Sequence, residues 1–368
     1  MTGAAELRSL LEEGAERGVF AGASALVLEG TAILFEGCAG FARLEPAVDR
    51  RPADASTLWD LASLTKPLAG SPLVLALVVE RLLSLDDEVS RFDDLFKKTR
   101  FEGVTLRRLL THTAGLVDWF PLYVRGEGRA AYRRTLAELD PVAAPDRAVV
   151  YSCPGFLLLS EVVERVAGIP LDVLFRERVA APLGLSKDVL FSPATEDRPR
   201  TAGGERDDAS ERRKAAGRGH SYGAFRTGVV NGEVNDGNAR RRAAGVSLNA
   251  GLFGTARAVA GLASAWLQRD PRLLPEGAID EATRCQTGGL GEDRGLGWAL
   301  ARTVRSAGDA LSPQSFGHTG FTGSSLFVDP RRRRIYVLLA GRLHPEARSA
   351  EEMIACRLRF HALAAALG

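Results

Sequence analysis

The chain has 368 residues, 45% of them apolar, and 48 Lys and Arg against 46 Asp and Glu, for a formal net charge of +2. That length can bury a sizeable core and hold two lobes, and the balanced charge points to no nucleic-acid partner. Cys38, Cys153, Cys285 and Cys356 are scattered, without Cys-x-x-Cys pairs or histidines at ligand spacing, so neither a disulfide framework nor a metal site is expected.

Met1 to Phe20 mixes charged and apolar residues at helical spacing with no apolar core segment, so no secretory leader is expected. A helix over Ala5–Arg17 is followed by strand-like runs Ala23–Leu28 and Thr31–Glu36, joined at Glu29-Gly30 as a hairpin. The apolar run Leu73–Val79 predicts a core helix and is read as far short of a membrane span. A cytoplasmic location with no membrane partner follows. Phe156–Val166 predicts another buried helix. The polar stretch Glu196–Gly219 reads as a mobile surface loop or a flap over a cleft. Strand patterns return at Trp298–Val304, Ser324–Val328 and Ile335–Leu339, with Arg331–Arg334 as a solvated turn, and a helix over Ala350–Ala366 closes the chain. Both ends therefore contribute to one sheet. The expected fold is α+β: an antiparallel sheet with helices on both faces (residues 1–65 and 245–368) and a mainly helical insert (66–244), with the site at their interface.

Chemistry enters at Ser63-Leu64-Thr65-Lys66. A serine with a lysine one helical turn later places a nucleophile beside a group able to take or hold its proton. For lysine to act as that base its pKa must fall, as burial beside a second cation would arrange. Pro67 removes an N–H and predicts an irregular first turn. Two further segments join this one. Tyr151-Ser152-Cys153 sits in a loop before an apolar helix, and His318-Thr319-Gly320 precedes a strand where small residues permit close approach of a substrate.

In order and spacing, Ser63-x-x-Lys66, Tyr151-x-Cys153 and His318-Thr319-Gly320 resemble the three signatures of the serine β-lactamase and penicillin-binding-protein superfamily, nearest its class C and family VIII carboxylesterase branch. Leu109–Leu116 resembles the family's LLTHTSGL turn, Gly251–Ala256 its GLFSTA segment and Gly317–Pro330 its GHTGFTGSSLFVDP strand. The resemblance implies an acyl-enzyme on Ser63, with Lys66 holding and deprotonating it and Tyr151 as shared acid and base. It implies an oxyanion hole from the N–H groups of Ser63 and Phe321, a substrate lined by Cys153, His318, Thr319 and Gly320, and no metal or organic cofactor. His112 is assigned to its turn. Asp118, Trp119 and Tyr123 are candidates for the cleft wall, and Asn235–Asn238 reads as a turn.

Two departures matter. Cys153 stands where the signature has asparagine, which weakens recognition of a substrate amide, because a thiol is a poor donor and acceptor. His318 replaces a lysine, exchanging a fixed charge for a titrating one. These changes favour a carboxylesterase acting on small esters. The alternatives are a β-lactam or small-amide hydrolase and, from another class, a ligand-binding protein without turnover. The sequence is silent on oligomeric state.

Overall fold

Alternating apolar runs near the two chain ends close into a single sheet. In the computed structural model, which describes residues 3–97, 99–301, 303 and 307–368, seven strands lie in the order Arg51–Pro52, Ala32–Arg43, Gly22–Glu29, Arg334–Ala340, Ser325–Asp329, Phe316–Thr319 and Ala299–Leu300. Every neighbouring pair is antiparallel, with Leu26 opposite Val337 and Ser325 opposite Leu338 at the centre. Successive residues of a strand point to opposite faces, and both faces here are apolar. Ala23, Ala25 and Val27 share a core with Leu7 and Leu11 of the Gly3–Glu16 helix and Phe360 of the Ala350–Ala365 helix. Leu26, Val337 and Leu339 share the other core with Val259 and Leu262 of the Ala256–Leu267 helix. Each of the Leu, Val and Phe side chains among these contributes roughly 1.5–3 kcal/mol on burial. The expected antiparallel sheet with helices on both faces is present.

The strand expected at Thr31–Glu36 runs on to Arg43. Its second half, Gly37-Cys38-Ala39-Gly40, lacks the β-branched residues that mark strands, but small residues are needed where it crosses Gly22, since a Cβ on Gly22 would lie 2.4 Å from the Phe41 carbonyl oxygen. Of the expected Trp298–Val304 strand, Ala299–Leu300 is paired, and Val304 lies outside the described residues.

The middle of the chain packs helices Ser71–Val79, Leu106–Leu110 and Gly128–Glu138 around Cys153–Ala167. Ala62–Val79 as a whole is long and apolar enough to cross a membrane, which corrects the reading of its apolar run as far too short. With 78% of that window buried it is part of the helical core. This region also contains strands: Val189–Phe191 pairs with Leu252–Gly254, which pairs in turn with Trp59–Asp60 just before the nucleophile.

The segment read as a mobile loop is folded. It holds a strand, Gly203–Arg206, paired with Val229–Asn231, and a helix, Ala209–Gly217. Few large apolar residues are present because ion pairs organise it. Asp208, buried at φ 48°, takes Arg226 at 2.6 Å and Arg241 at 3.2 Å.

Candidate active site

Ser63 is presented by a short distorted turn. Ala62 is held at φ 48°, a left-handed conformation unfavourable to a residue with a Cβ, and the buried Asp60 carboxylate accepts its N–H at 2.9 Å. Ala62–Leu64 form a 3-10 turn, Lys66–Gly70 a π-helical turn around Pro67, and the regular helix begins only at Ser71. The irregular start that Pro67 predicts is therefore real. It leaves Ser63 half-buried at the cleft while Lys66 is fully buried.

Lys66 Nζ donates to Ser63 Oγ at 3.1 Å and to the Asn249 carbonyl at 2.8 Å, and lies 3.9 Å from Cys153 Sγ and 5.0 Å from the centre of the Tyr151 ring. Burial works to lower its pKa, but the negative charge that Cys153, Tyr151 and Asp236 can present outweighs burial and holds the ammonium above the ordinary lysine range. The expectation of a depressed lysine is thus reversed. Lys66 is a fixed cation that orients the serine hydroxyl and faces Tyr151.

Tyr151 is positioned from behind. His112, itself at φ 61°, accepts the Ser152 N–H on Nδ1 at 3.0 Å and lays its ring 4.5 Å from the Tyr151 ring. Its role thus extends past its turn to the wall that backs Tyr151. Ser152 caps the next helix, its Oγ accepting the Gly155 N–H at 3.2 Å, so Cys153 is the first helical residue rather than part of a loop. The Cys153 thiol is pushed up by burial, against the Lys66 cation.

On the opposite wall, His318 gives its Nδ1 proton to the Thr319 carbonyl at 2.8 Å. Burial first, and then the cations of Arg294 and Lys66, hold it well below the ordinary histidine range, so it stands in the cleft as neutral imidazole. The following turn is tightly fixed. Gly320 N–H bonds to the Ser324 carbonyl at 2.7 Å, Gly323 N–H to the Gly320 carbonyl at 3.0 Å, and Thr322 Oγ1 to the Asp60 carbonyl at 3.0 Å. Because the Gly320 carbonyl is held on one side of its peptide, the N–H of Phe321 is directed to the other. Arg342 grips the next carbonyl, that of Phe321, through Nε at 3.1 Å and Nη2 at 2.8 Å. Among the described residues, neither the Ser63 nor the Phe321 N–H is taken by a backbone bond. Two free donors beside a serine suit an oxyanion.

Ser63, Tyr151, His318, Thr319, Gly320 and Phe321 line one cleft of about 330 Å³. Arg294, Ala299 and Arg357 complete the lining and were missed from sequence. Arg294 lies 5.5 Å from the Tyr151 ring centre and is paired with Glu292 at 2.6 Å; the glycine-rich segment around it was the only available signal. Asp118, Trp119 and Tyr123 are absent from this lining. Instead, Asp118 pairs with Arg218 at 2.7 Å, Trp119 is buried under Lys214 at 4.1 Å, and Tyr123 is buried. Asn235–Asn238 is a hub as well as a turn: Asn235 binds the Asp60 carboxylate at 2.8 Å, and Asp236 accepts from the Asn249 amide at 3.2 Å. No group of residues suited to a metal ion occurs among the described residues.

A serine held by a buried ammonium, under a sheet edge that offers a turn with free N–H groups, is the site of a serine hydrolase. The chain belongs to the Beta-lactamase family, whose model matches residues 7–357. It is 30% identical to Esterase EstB of Burkholderia gladioli, over 96% of this chain and 94% of that one. It is also 30% identical to a putative D-alanyl-D-alanine carboxypeptidase of Escherichia coli K12, over 79% and 70%. Among solved structures, EstCE1, described as a hydrolase with promiscuous acyltransferase activity, superposes with a TM-score of 0.75 at 22% identity, covering 100% of this chain and 98% of that one.

Proposed function

We propose that this protein is a carboxylesterase that hydrolyses small esters through an acyl-enzyme on Ser63. The observation that carries the reading is the 3.1 Å contact of Lys66 Nζ with Ser63 Oγ in a cleft closed by the Phe321 turn. In acylation, Ser63 Oγ attacks the ester carbonyl while its proton passes to the Tyr151 oxygen, which enters the step as phenolate beside the Lys66 ammonium, and the carbonyl oxygen, now negative, lies between the N–H groups of Ser63 and Phe321. Collapse of the adduct breaks the bond to the leaving alkoxide, which takes the proton from Tyr151. Water then repeats the sequence against the acyl-enzyme and releases the acid. Lys66 stays charged throughout, anchored by Asn249, and stabilises the phenolate with which Tyr151 begins each half-reaction and to which it returns when the proton passes on.

Ester over amide is supported by two side chains. Cys153 offers an amide-bearing substrate only weak hydrogen bonding, and neutral His318 offers no fixed charge. An alkoxide also leaves with less help from an acid than an amide nitrogen needs. The likeness to Esterase EstB over nearly the whole chain points the same way.

The test is release of p-nitrophenol from acetate and butyrate esters, with Ser63→Ala as the comparison and nitrocefin as the amide-type substrate. Turnover should fall by about 10³-fold or more in Ser63→Ala, as for loss of a nucleophile that works in concert with its partners. Ser63-dependent nitrocefin opening faster than ester cleavage would overturn the preference for esters, and ester turnover that survives Ser63→Ala would overturn the site.

A further inference from the structure

Asp60 is a buried acid that takes no part in the chemistry described above. Its side chain, 7% exposed, accepts three hydrogen bonds, all from N–H groups: Oδ1 from Ala62 at 2.9 Å, and Oδ2 from the backbone and the side-chain amide of Asn235, both at 2.8 Å. Its carbonyl accepts from Thr322 Oγ1 at 3.0 Å. One residue is thereby bonded to the residue before the nucleophile and to the 320–323 turn. Through Asn235, whose Oδ1 accepts the Glu205 N–H at 2.9 Å, it is also tied to the charged excursion.

The bond to Ala62 falls at a point of strain. A residue with a Cβ keeps φ 48° only where its surroundings impose it, and Asp60 Oδ1 grips the N–H of that residue. Asp60 has a fixed base from which to do so, because Trp59–Asp60 is paired with Phe253 and Gly254 of the Leu252–Gly254 strand. The 320–323 turn packs onto the nucleophile turn without slack: a Cβ on Gly320 would lie 2.9 Å from the Leu61 carbonyl oxygen and 3.2 Å from the Ala62 Cβ. The Ser63 and Phe321 N–H groups belong to these two turns, so a shift of either turn moves one oxyanion donor away from the other. Donors to an oxyanion are effective only when both are fixed in advance.

We propose that Asp60 is a positioning residue for the reaction: its carboxylate holds the Ala62–Ser63 turn and its carbonyl the Phe321 turn, so that the nucleophile and both oxyanion donors keep one geometry. Asparagine cannot take its place. With a single oxygen it must turn its own NH2 group toward either the Ala62 N–H or the two N–H groups of Asn235, and a donor then faces a donor. The assignment rests on the esterase reading above and adds to it the residue that sets the nucleophile against its oxyanion donors.

Steady-state kinetics on p-nitrophenyl butyrate and the rate at which a fluorophosphonate labels Ser63 are read together, on variants that keep a cooperative melting transition. Asp60→Asn should lower kcat about 10²-fold, the scale of a displacement of about 1 Å at a reacting group, with KM changed less than about twofold. Ala62→Gly separates positioning from stability. Glycine adopts φ 48° without strain and needs the carboxylate less, so Asp60→Asn measured against Ala62→Gly should cost only about tenfold. Thr322→Val, which removes the hydroxyl and keeps the shape, should lower kcat about tenfold with KM unchanged. It carries the test together with Asp60→Asn/Ala62→Gly should Asp60→Asn alone fail to fold. An Asp60→Asn cost that is the same with and without Ala62→Gly, a change confined to KM, or full kcat in Thr322→Val would overturn the inference while leaving the esterase reading intact. Absence of Ser63-dependent turnover in the unsubstituted protein would overturn the esterase reading. The labelling rates then decide the inference, and equal rates in the unsubstituted protein, Asp60→Asn and Thr322→Val would overturn it as well.

Discussion

Arg342 shows how one side chain outside the cleft can govern the chemistry proposed for it. Its guanidinium spans the Phe321 and Arg348 carbonyls, with Nη1 2.6 Å from the latter, and its own N–H bonds to the Thr322 carbonyl at 2.9 Å. The 320–323 turn is thereby held from outside while Gly323 holds it from within. An oxyanion donor is effective only when its direction is fixed before the charge develops. Removing such a donor costs about 10²–10³-fold in kcat, so loosening it should cost less. Arg342→Met is expected to lower kcat about tenfold with KM changed less than about twofold, because the donor acts on the transition state more than on the bound ester. Steady-state kinetics on p-nitrophenyl butyrate read this directly. A rise in KM with kcat unchanged would assign Arg342 to ground-state binding instead.

At the scale of elements, the polar excursion between the helical core and the Leu252–Gly254 strand is the part of the fold least legible in sequence. Periodicity reports apolar burial, and this segment is built on charge. Asp208 accepts the Arg226 N–H and Nε at 2.9 and 2.7 Å as well as Arg241, a residue only 5% exposed. The helix it starts covers Trp119 with Lys214, and Arg218 binds Asp118, whose carbonyl accepts the Cys153 N–H at 2.9 Å. Asp208→Ala would leave the buried Arg241 only the longer Glu127 pair at 3.5 Å and should destabilise the protein by about 3 kcal/mol, the low end for a broken buried pair. Trypsin should then cut at Arg212, Arg213 and Lys214, which are exposed yet protected by the helical backbone. Unchanged melting and unchanged cleavage would show the ion pairs to be incidental.

The same contrast explains which parts of the site were readable. Ser63, Lys66, Tyr151 and His318 lie in short local patterns, and the sequence alone groups them into one site. Apart from the glycines around Arg294, the segments of Arg294, Arg342 and Arg357 carry no signal but arginine itself, in a chain where arginine is common, and their value depends on which acceptors the fold supplies. The reversed direction of the Lys66 shift has the same origin. Burial could be foreseen from the apolar helix, but the position of Cys153 and Asp236 around the ammonium is tertiary.

For the whole molecule, buried ionisable groups set opposing limits on pH. His112, His318, His344 and His361 all have folded-state pKa values below the ordinary 6.5, first because of burial, and His361, with Ser325 Oγ at 3.0 Å, is lowered to about 3. Below pH 6.5 the unfolded chain binds protons that these folded imidazoles refuse, so stability falls as pH falls. Glu211 opposes them. Burial, then the nearby Asp236 charge, raise its carboxyl from 4.5 to about 8. Between those values the folded chain holds a proton that the unfolded chain has lost, and stability falls as pH rises. Each group contributes a slope of up to about 1.4 kcal/mol per pH unit within its window. Asp60 and Glu161, also raised by burial, oppose the histidines with Glu211 at lower pH, where four imidazoles outweigh three carboxyls, and Glu211 acts without the histidines above pH 6.5. Melting temperature should therefore peak at about pH 6.5 to 7. Glu211→Gln should remove the decline between pH 7 and 8, and His361→Gln, which can still accept the Ser325 hydroxyl, should flatten the decline between pH 6 and 4.5. A melting temperature constant from pH 5 to 8 in the unsubstituted protein would show that these groups titrate alike in the folded and unfolded chains, and that burial imposes no such cost on them.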